Sequence, residues 1–186
     1  MVDGLLLAAG AGRRMGMPKA LVRDDDGTPW LTRSVQVLRD GGCARVLVVL
    51  GAAADEAMPL LDGLSGVTTV RSEDWSSGMG ASLATGLAAL AAEDADAALV
   101  HLVDLPDVTA AVVGRVLDQG GAARSALARA SYDGVPGHPV LLGRDHWAGV
   151  VDSASGDRGA RAYLADHDVR LVECGDLATG ADVDSR

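Results

Sequence analysis

Five short apolar runs punctuate the chain: Val2–Ala8, Arg45–Leu50, Val67–Arg71, Ala97–Val103 and Ser125–Ser131. Their continuous apolar character, rather than alternation, predicts strands of a sheet buried on both faces. Between them the apolar positions shift to helical spacing. Trp30–Asp40 places Leu31, Val35 and Leu38 on one face, with Thr28 as N-cap, Pro29 in the first turn and Gly41-Gly42 as the stop. Ala81–Ala92 repeats the spacing with Leu83, Leu87 and Leu90, and Thr109–Gln119 with Val112 and Val116 flanked by Val113 and Leu117. Such alternation of strands and helices predicts an α/β three-layer sandwich around a mostly parallel central sheet. From Tyr132 onward the turn signals crowd together (Asp133-Gly134, Pro136-Gly137, Gly156, Gly159), which predicts a less regular half that forms a lid or an acceptor-binding region. No repeat or linker interrupts the chain, so residues 1–186 read as one domain.

Composition sharpens this picture in three ways. Phe is absent and aromatics make up only 3%, so the core is built from Val, Leu and Ala. The formal net charge of −10 argues against a general affinity for nucleic acid or an anionic membrane, but leaves room for a small polyanion in a local basic pocket. Cys43 and Cys174 form no CxxC pair and read as two reduced thiols. The opening Met1-Val2-Asp3 lacks a basic signal region, and the uncharged stretch from Trp75 to Ala92 is too rich in Ser and Gly to span a membrane. A soluble, cytoplasmic protein is the expectation.

In sheets of this kind ligands bind beyond the carboxyl ends of the strands. After the first strand comes Ala8-Ala9-Gly10-Ala11-Gly12-Arg13-Arg14-Met15-Gly16-Met17-Pro18-Lys19. Glycines let backbone N–H groups approach a polyanion, and two arginines and a lysine add fixed positive charge. A dinucleotide fingerprint would need Gly where Met15 stands, and a P-loop would need Ser or Thr beside a Gly-Lys pair, whereas Lys19 follows Pro18.

The stretch resembles instead the motif L-A-A-G-x-G-x-R-M-G-x-x-K of the molybdenum-cofactor-type nucleotidyltransferases. The resemblance runs almost the whole length. Trp75–Leu83 looks like the family's second nucleotide loop, and Asp104-Leu105-Pro106 like its metal-binding Asp-x-Pro. Gly137-His138-Pro139 looks like its G-H-P turn, Gly156–Arg161 like its G-D-x-G-A segment, and Asp182-Val183-Asp184 like the start of its D-I-D-T-P ending.

The resemblance implies a nucleotide-diphospho-sugar transferase-like (Rossmann-like) fold, with a nucleotide-binding part over about 1–110 and an acceptor-binding part over about 111–186. It implies transfer of a nucleoside monophosphate from an NTP to a phosphorylated acceptor such as molybdopterin, with release of pyrophosphate. Leu7, Ala8, Ala9, Gly10, Gly12, Gly16, Gly78, Met79 and Ser82 would then hold nucleotide, and Arg13 and Lys19 would screen the triphosphate. Asp104 would hold Mg²⁺ with Asp184 as second carboxylate and Asp182 as its competitor. His138, Asp157 and Arg161 would face the acceptor. Asp107 is the better placed of the two nearby acids to cap the next helix, which leaves Asp104 free for the metal. A phosphate monoester is largely ionised at pH 7, so such an acceptor needs no general base. Leu7-Ala8-Ala9-Gly10 looks like the cytidylyl branch, since a second Gly in place of Ala9 would suit guanine. CTP is therefore favoured over GTP.

Two rival readings stand beside this one. A sugar-1-phosphate nucleotidyltransferase shares the glycine, arginine, lysine and aspartate logic. A non-catalytic nucleotide-binding accessory protein that docks on a molybdoenzyme would tolerate loss of Asp104. His101, His146 and His167 read as structural, and Trp30, Trp75 and Trp147 as packing residues.

Overall fold

Residues 1–154 and 156–183 are described by the structure, a computed structural model. Side chains along each central strand alternate between two cores. Strand β1 (Val2–Ala8) sends Leu6 and Ala8 to one face and Leu5 and Leu7 to the other, and β2 (Val46–Leu50) divides its valines and leucines likewise. On the first face lie α1 (Trp30–Asp40), the short α2 (Ala54–Ala57) and α4 (Ala110–Gly120). On the second lie α3 (Met79–Ala91), α5 (Trp147–Ser153) and α6 (Arg161–Ala165). Both faces being covered, apolar side chains are needed at consecutive strand positions, hence the unbroken runs. Leu5, Leu6, Leu99 and Leu141 are fully buried, each stabilising the fold by roughly 1.5–3 kcal/mol.

The remaining strands are β3 (Val67–Arg71), β4 (Ala97–Leu102), β5 (Leu127–Tyr132), β6 (Val135–Gly143) and β7 (Arg170–Glu173). The sheet runs in the order β3-β2-β1-β4-β6-β5-β7. β1, β2, β3 and β4 are mutually parallel, β6 is antiparallel to both β4 and β5, and β7 runs parallel to β5. The mixed α/β sandwich with a mostly parallel sheet is as the sequence predicts.

Several local expectations are corrected. β3 is an edge strand, exposed at Thr68, Thr69 and Arg71, rather than buried on both faces. Thr28 does not cap α1; Pro29 occupies the N-cap position, and no side chain caps the helix. α3 starts at Met79 after Gly78, whose φ of 115° suits glycine, so Gly80 lies inside the helix. Its close approach to the sheet is set by Gly86, where a Cβ would come 2.5 Å from Leu5 Cδ1. Asp107 does not cap α4; the N-cap residue is Thr109, without a side-chain bond. Asp107 accepts instead from the backbone N–H and hydroxyl of Thr179, at 2.6 and 2.5 Å.

The largest correction follows Tyr132. Asp133-Gly134, both at positive φ, turn β5 directly into β6, the longest strand. Pro136-Gly137 and Gly137-His138-Pro139 are therefore not turns. They form an irregular stretch of β6, where the pairing with β5 jumps from Ser131↔Pro136 to Arg129↔Val140. Prolines cannot donate to a ladder and collect at such bulges. The His138–Pro139 peptide is cis.

Candidate active site

β1 and β4 are neighbours at the centre of the sheet, and β1 connects onward to the other side through β2. At their carboxyl ends the chain diverges and leaves a crevice. The loop after β1 and residues Val103-Asp104 after β4 open into it. The loop needs its glycines: Gly12 has φ 58°, and a Cβ there would meet the Met17 carbonyl oxygen at 2.0 Å.

Two cavities share this edge. The first, about 490 Å³, is lined by Leu7, Ala8, Ala9, Gly10, Gly12 and Arg13 from the first loop, Gly78, Met79 and Ser82 at the start of α3, and Asp104. The second, about 480 Å³, is lined by His138, Arg161 and Asp182 among others. Leu7, Lys19, Met79, Asp104 and Asp157 face both. Gly16, at φ 77°, shapes the loop but lines neither cavity. Asp184 lies outside the described residues.

Where the cavities meet, Lys19 Nζ donates to Asp104 Oδ2 at 2.6 Å, both side chains being largely buried. Asp104 is held from behind, because its carbonyl oxygen accepts from the Val183 N–H at 3.0 Å. The Asp107–Thr179 bonds and this one return the C-terminal segment to the end of β4, so that Asp182 lines the second cavity together with Asp104. Two carboxylates beside space for phosphate oxygens match the hard-oxygen donors that Mg²⁺ or Mn²⁺ takes, so these residues fit a divalent cation. Among the described residues no group of three or more His, Cys, Asp or Glu could hold a metal.

Gly78 seats α3 against the turn at 156–158. A Cβ on it would lie 2.5 Å from Gly156 C and 2.9 Å from Asp157 Oδ1. Asp157 is thereby fixed beside the N-terminus of α3, where its charge meets the helix dipole. His138 is not a turn residue. Its carbonyl accepts from Tyr132 Oη at 2.6 Å, and its half-buried ring faces the second cavity. Burial first, then His101, Arg129 and Arg161, push its imidazole down to about 3, so it meets a ligand as a neutral ring.

Sequence reasoning missed Arg129. It sits on β5 and donates through Nε and Nη2 to the Gly137 carbonyl at 3.2 and 3.1 Å. The signal was a lone charge inside an otherwise apolar strand. Trp75, expected as packing, both packs against Gly51 and lines the first cavity. The other histidines are structural. His101 is buried, His146 Nδ1 lies 2.9 Å from Tyr163 Oη, and His167 stacks on Tyr163 with ring centroids 3.8 Å apart. Cys43 and Cys174 are buried and unbridged, and no described helix is long and apolar enough to cross a membrane.

The chain has known relatives. The chain is 39% identical to nicotine blue oxidoreductase from Paenarthrobacter nicotinovorans, over 99% of this chain and 92% of that one. It is 26% identical to molybdenum cofactor cytidylyltransferase from Escherichia coli K12, over 77% and 70%. Among solved structures it resembles Rv0371c from Mycobacterium tuberculosis H37Rv, at 28% identity and TM-score 0.79 over 99% of this chain and 93% of that one. Rv0371c has also been solved in complex with manganese, in a structure that matches at 26% identity and TM-score 0.74 over 98% and 93%. The fold is of the nucleotide-diphospho-sugar transferase type. The family model described as MobA-like NTP transferase domain matches residues 4–171, and the chain belongs to that nucleotidyltransferase family.

Proposed function

We propose that this protein transfers a nucleoside monophosphate, CMP before GMP, from an NTP to a phosphorylated small-molecule acceptor of the molybdopterin class, releasing pyrophosphate. The observation that carries this reading is the Lys19–Asp104 pair at the junction of two cavities of similar size. A transferase needs this layout, because donor and acceptor must meet in line at one charged point.

Gly10, Gly12 and the N-terminus of α3 offer backbone N–H groups to the triphosphate, and Arg13 adds charge. Gly16 gives the loop its shape. Asp104, with Asp182 or Asp184, would hold Mg²⁺, which when bound neutralises phosphate oxygens. The acceptor's phosphate oxygen attacks the α-phosphorus while the bond to pyrophosphate breaks. Being already ionised, it needs no base. Lys19 leaves Asp104 for the leaving phosphates and stabilises the charge that grows there. His138, Asp157 and Arg161 orient the acceptor. Ala9, only 5% exposed, puts a methyl group where guanine would need room, which favours cytosine.

Calorimetric titration with CTP, GTP, ATP and UTP, with and without Mg²⁺, tests the nucleotide half. Selective Mg²⁺-dependent CTP binding supports the reading; no NTP binding, even with a phosphorylated pterin present, sinks it. Docking to a molybdoenzyme and a cytoplasmic location accompany the proposal as its cellular setting.

One observation favours a second reading. The relative at 39% identity over 99% of the chain carries an oxidoreductase name. Under it, the two adjoining cavities take an electron donor and the compound it reduces. Reduction of nicotine blue by a two-electron donor, without pyrophosphate release from any NTP, would put this reading first.

A further inference from the structure

Five arginines of this acidic chain are neutralised by ion pairs. Arg33, Arg45, Arg71, Arg115 and Arg124 each meet a carboxylate. Arg129, Arg158 and Arg161 do not: among the described residues no carboxylate lies within ion-pair distance of them. Yet all three line the same cavity. Arg129 and Arg161 are close enough to perturb one another, since burial first and Arg161 next pull the Arg129 guanidinium down. Asp104, Asp157 and Asp182 line this cavity too, but among the described residues none is within ion-pair distance of the three arginines, which leaves their donors open to an anion.

Arg129 is also aimed. Its Nε and Nη2 both donate to the Gly137 carbonyl, on the irregular stretch of β6 that Tyr132 Oη holds through the His138 carbonyl. A planar guanidinium fixed on one edge presents its remaining N–H groups in a set direction. Val140, Leu142 and Leu164 supply an apolar wall to the same cavity.

We propose that Arg129 and Arg161, with Arg158 at the rim, anchor a dianionic phosphate in the second cavity, and that the apolar wall selects a ligand with an apolar body behind that phosphate. Resting on the transferase reading, this makes Arg129 the residue that distinguishes a phosphorylated acceptor from an uncharged one.

The test is calorimetry of the full chain with phenyl phosphate, and with phenol as its uncharged twin. Phenyl phosphate should bind, with phenol at least tenfold weaker. Arg129→Gln and Arg161→Gln should each weaken phenyl phosphate at least tenfold, as expected for loss of charge-assisted hydrogen bonds, and leave Mg²⁺–CTP affinity within about twofold. Arg161 is exposed, so its variant keeps the test independent of folding. The proposal is overturned if wild type ignores phenyl phosphate or if Arg161→Gln binds it unchanged. It is equally overturned if CTP affinity falls in parallel, which would assign the arginines to the triphosphate. Failure to release pyrophosphate from any NTP removes the transferase reading, whereas a phenyl phosphate response lost in Arg161→Gln still establishes the anion site.

Discussion

Asp104 stands just past Leu102, the last residue of β4, with its backbone tied to Val183 and its carboxylate on Lys19. Replacing it by Asn keeps the volume and removes the charge. Asp104→Asn is expected to cut pyrophosphate release about a hundredfold or more with an unchanged circular dichroism spectrum. Near-normal turnover would remove Asp104 from the metal role. For Lys19→Ala the loss should fall on kcat, with KM little changed, because the charge it answers grows during transfer; a pure rise in KM would limit it to ground-state binding. Asp104 was legible because it closely follows a buried strand, and Lys19 because it closes a basic glycine loop that leaves one. Arg129 was not, since its meaning comes from Gly137 and Arg161, which reach it only across the fold.

Elements obey contact rules that single residues expose. The first loop closes only with Gly at position 12, where a side chain would strike the Met17 carbonyl. Gly12→Ala should weaken NTP binding at least tenfold by calorimetry, since the loop must deform to admit the side chain. Gly86→Ala should act on global stability instead. Its Cβ would press on Leu5 and Val49, lifting α3 from the sheet at a cost of about 1–3 kcal/mol in urea unfolding. Equal stability of the two proteins would mean that α3 can shift without loss. The helices α1, α3 and α4 were readable to within two residues from leucine and valine spacing. β6 was not, because its prolines and glycines signal turns locally while its pairing with β4 and β5 is decided at long range.

At the scale of the molecule, His101 and Glu173 are two of the groups through which stability depends on acid, alongside His138. His101, fully buried with Nδ1 lacking a partner, is pushed down to about 4 by desolvation and then by Arg33, from an ordinary 6.5. The folded pKa lies below the unfolded one, so protons favour the unfolded chain. Stability should fall by roughly 3 kcal/mol between about pH 6.5 and 4 and then level off for this group. Urea unfolding at pH 7.5 and 4.5 measures this, and His101→Leu should flatten the drop; an equally steep drop in that variant would rule His101 out. Glu173 acts in a lower window. Backbone N–H groups of Gly175, Gly134 and Asp133 and the Ser131 hydroxyl lower its carboxyl from 4.5 to about 2. Its contribution, which ties β7 to the β5–β6 turn, is present above pH 4.5 and lost as pH falls towards 2. The stability advantage of wild type over Glu173→Gln should therefore shrink between pH 5 and pH 3.

The sequence by itself determined the layers, the leading four strands, the helices that cover them and the basic glycine loop. All of these follow from periodicity and from backbone conformations that only certain residues adopt. Only the tertiary structure decided that β6 threads antiparallel between β4 and β5, that Asp107 holds the C-terminal segment rather than a helix, and that three arginines with no carboxylate partner among the described residues line a cavity beside the Lys19–Asp104 pair. Those outcomes depend on contacts between residues far apart in the chain, for which local spacing carries no information.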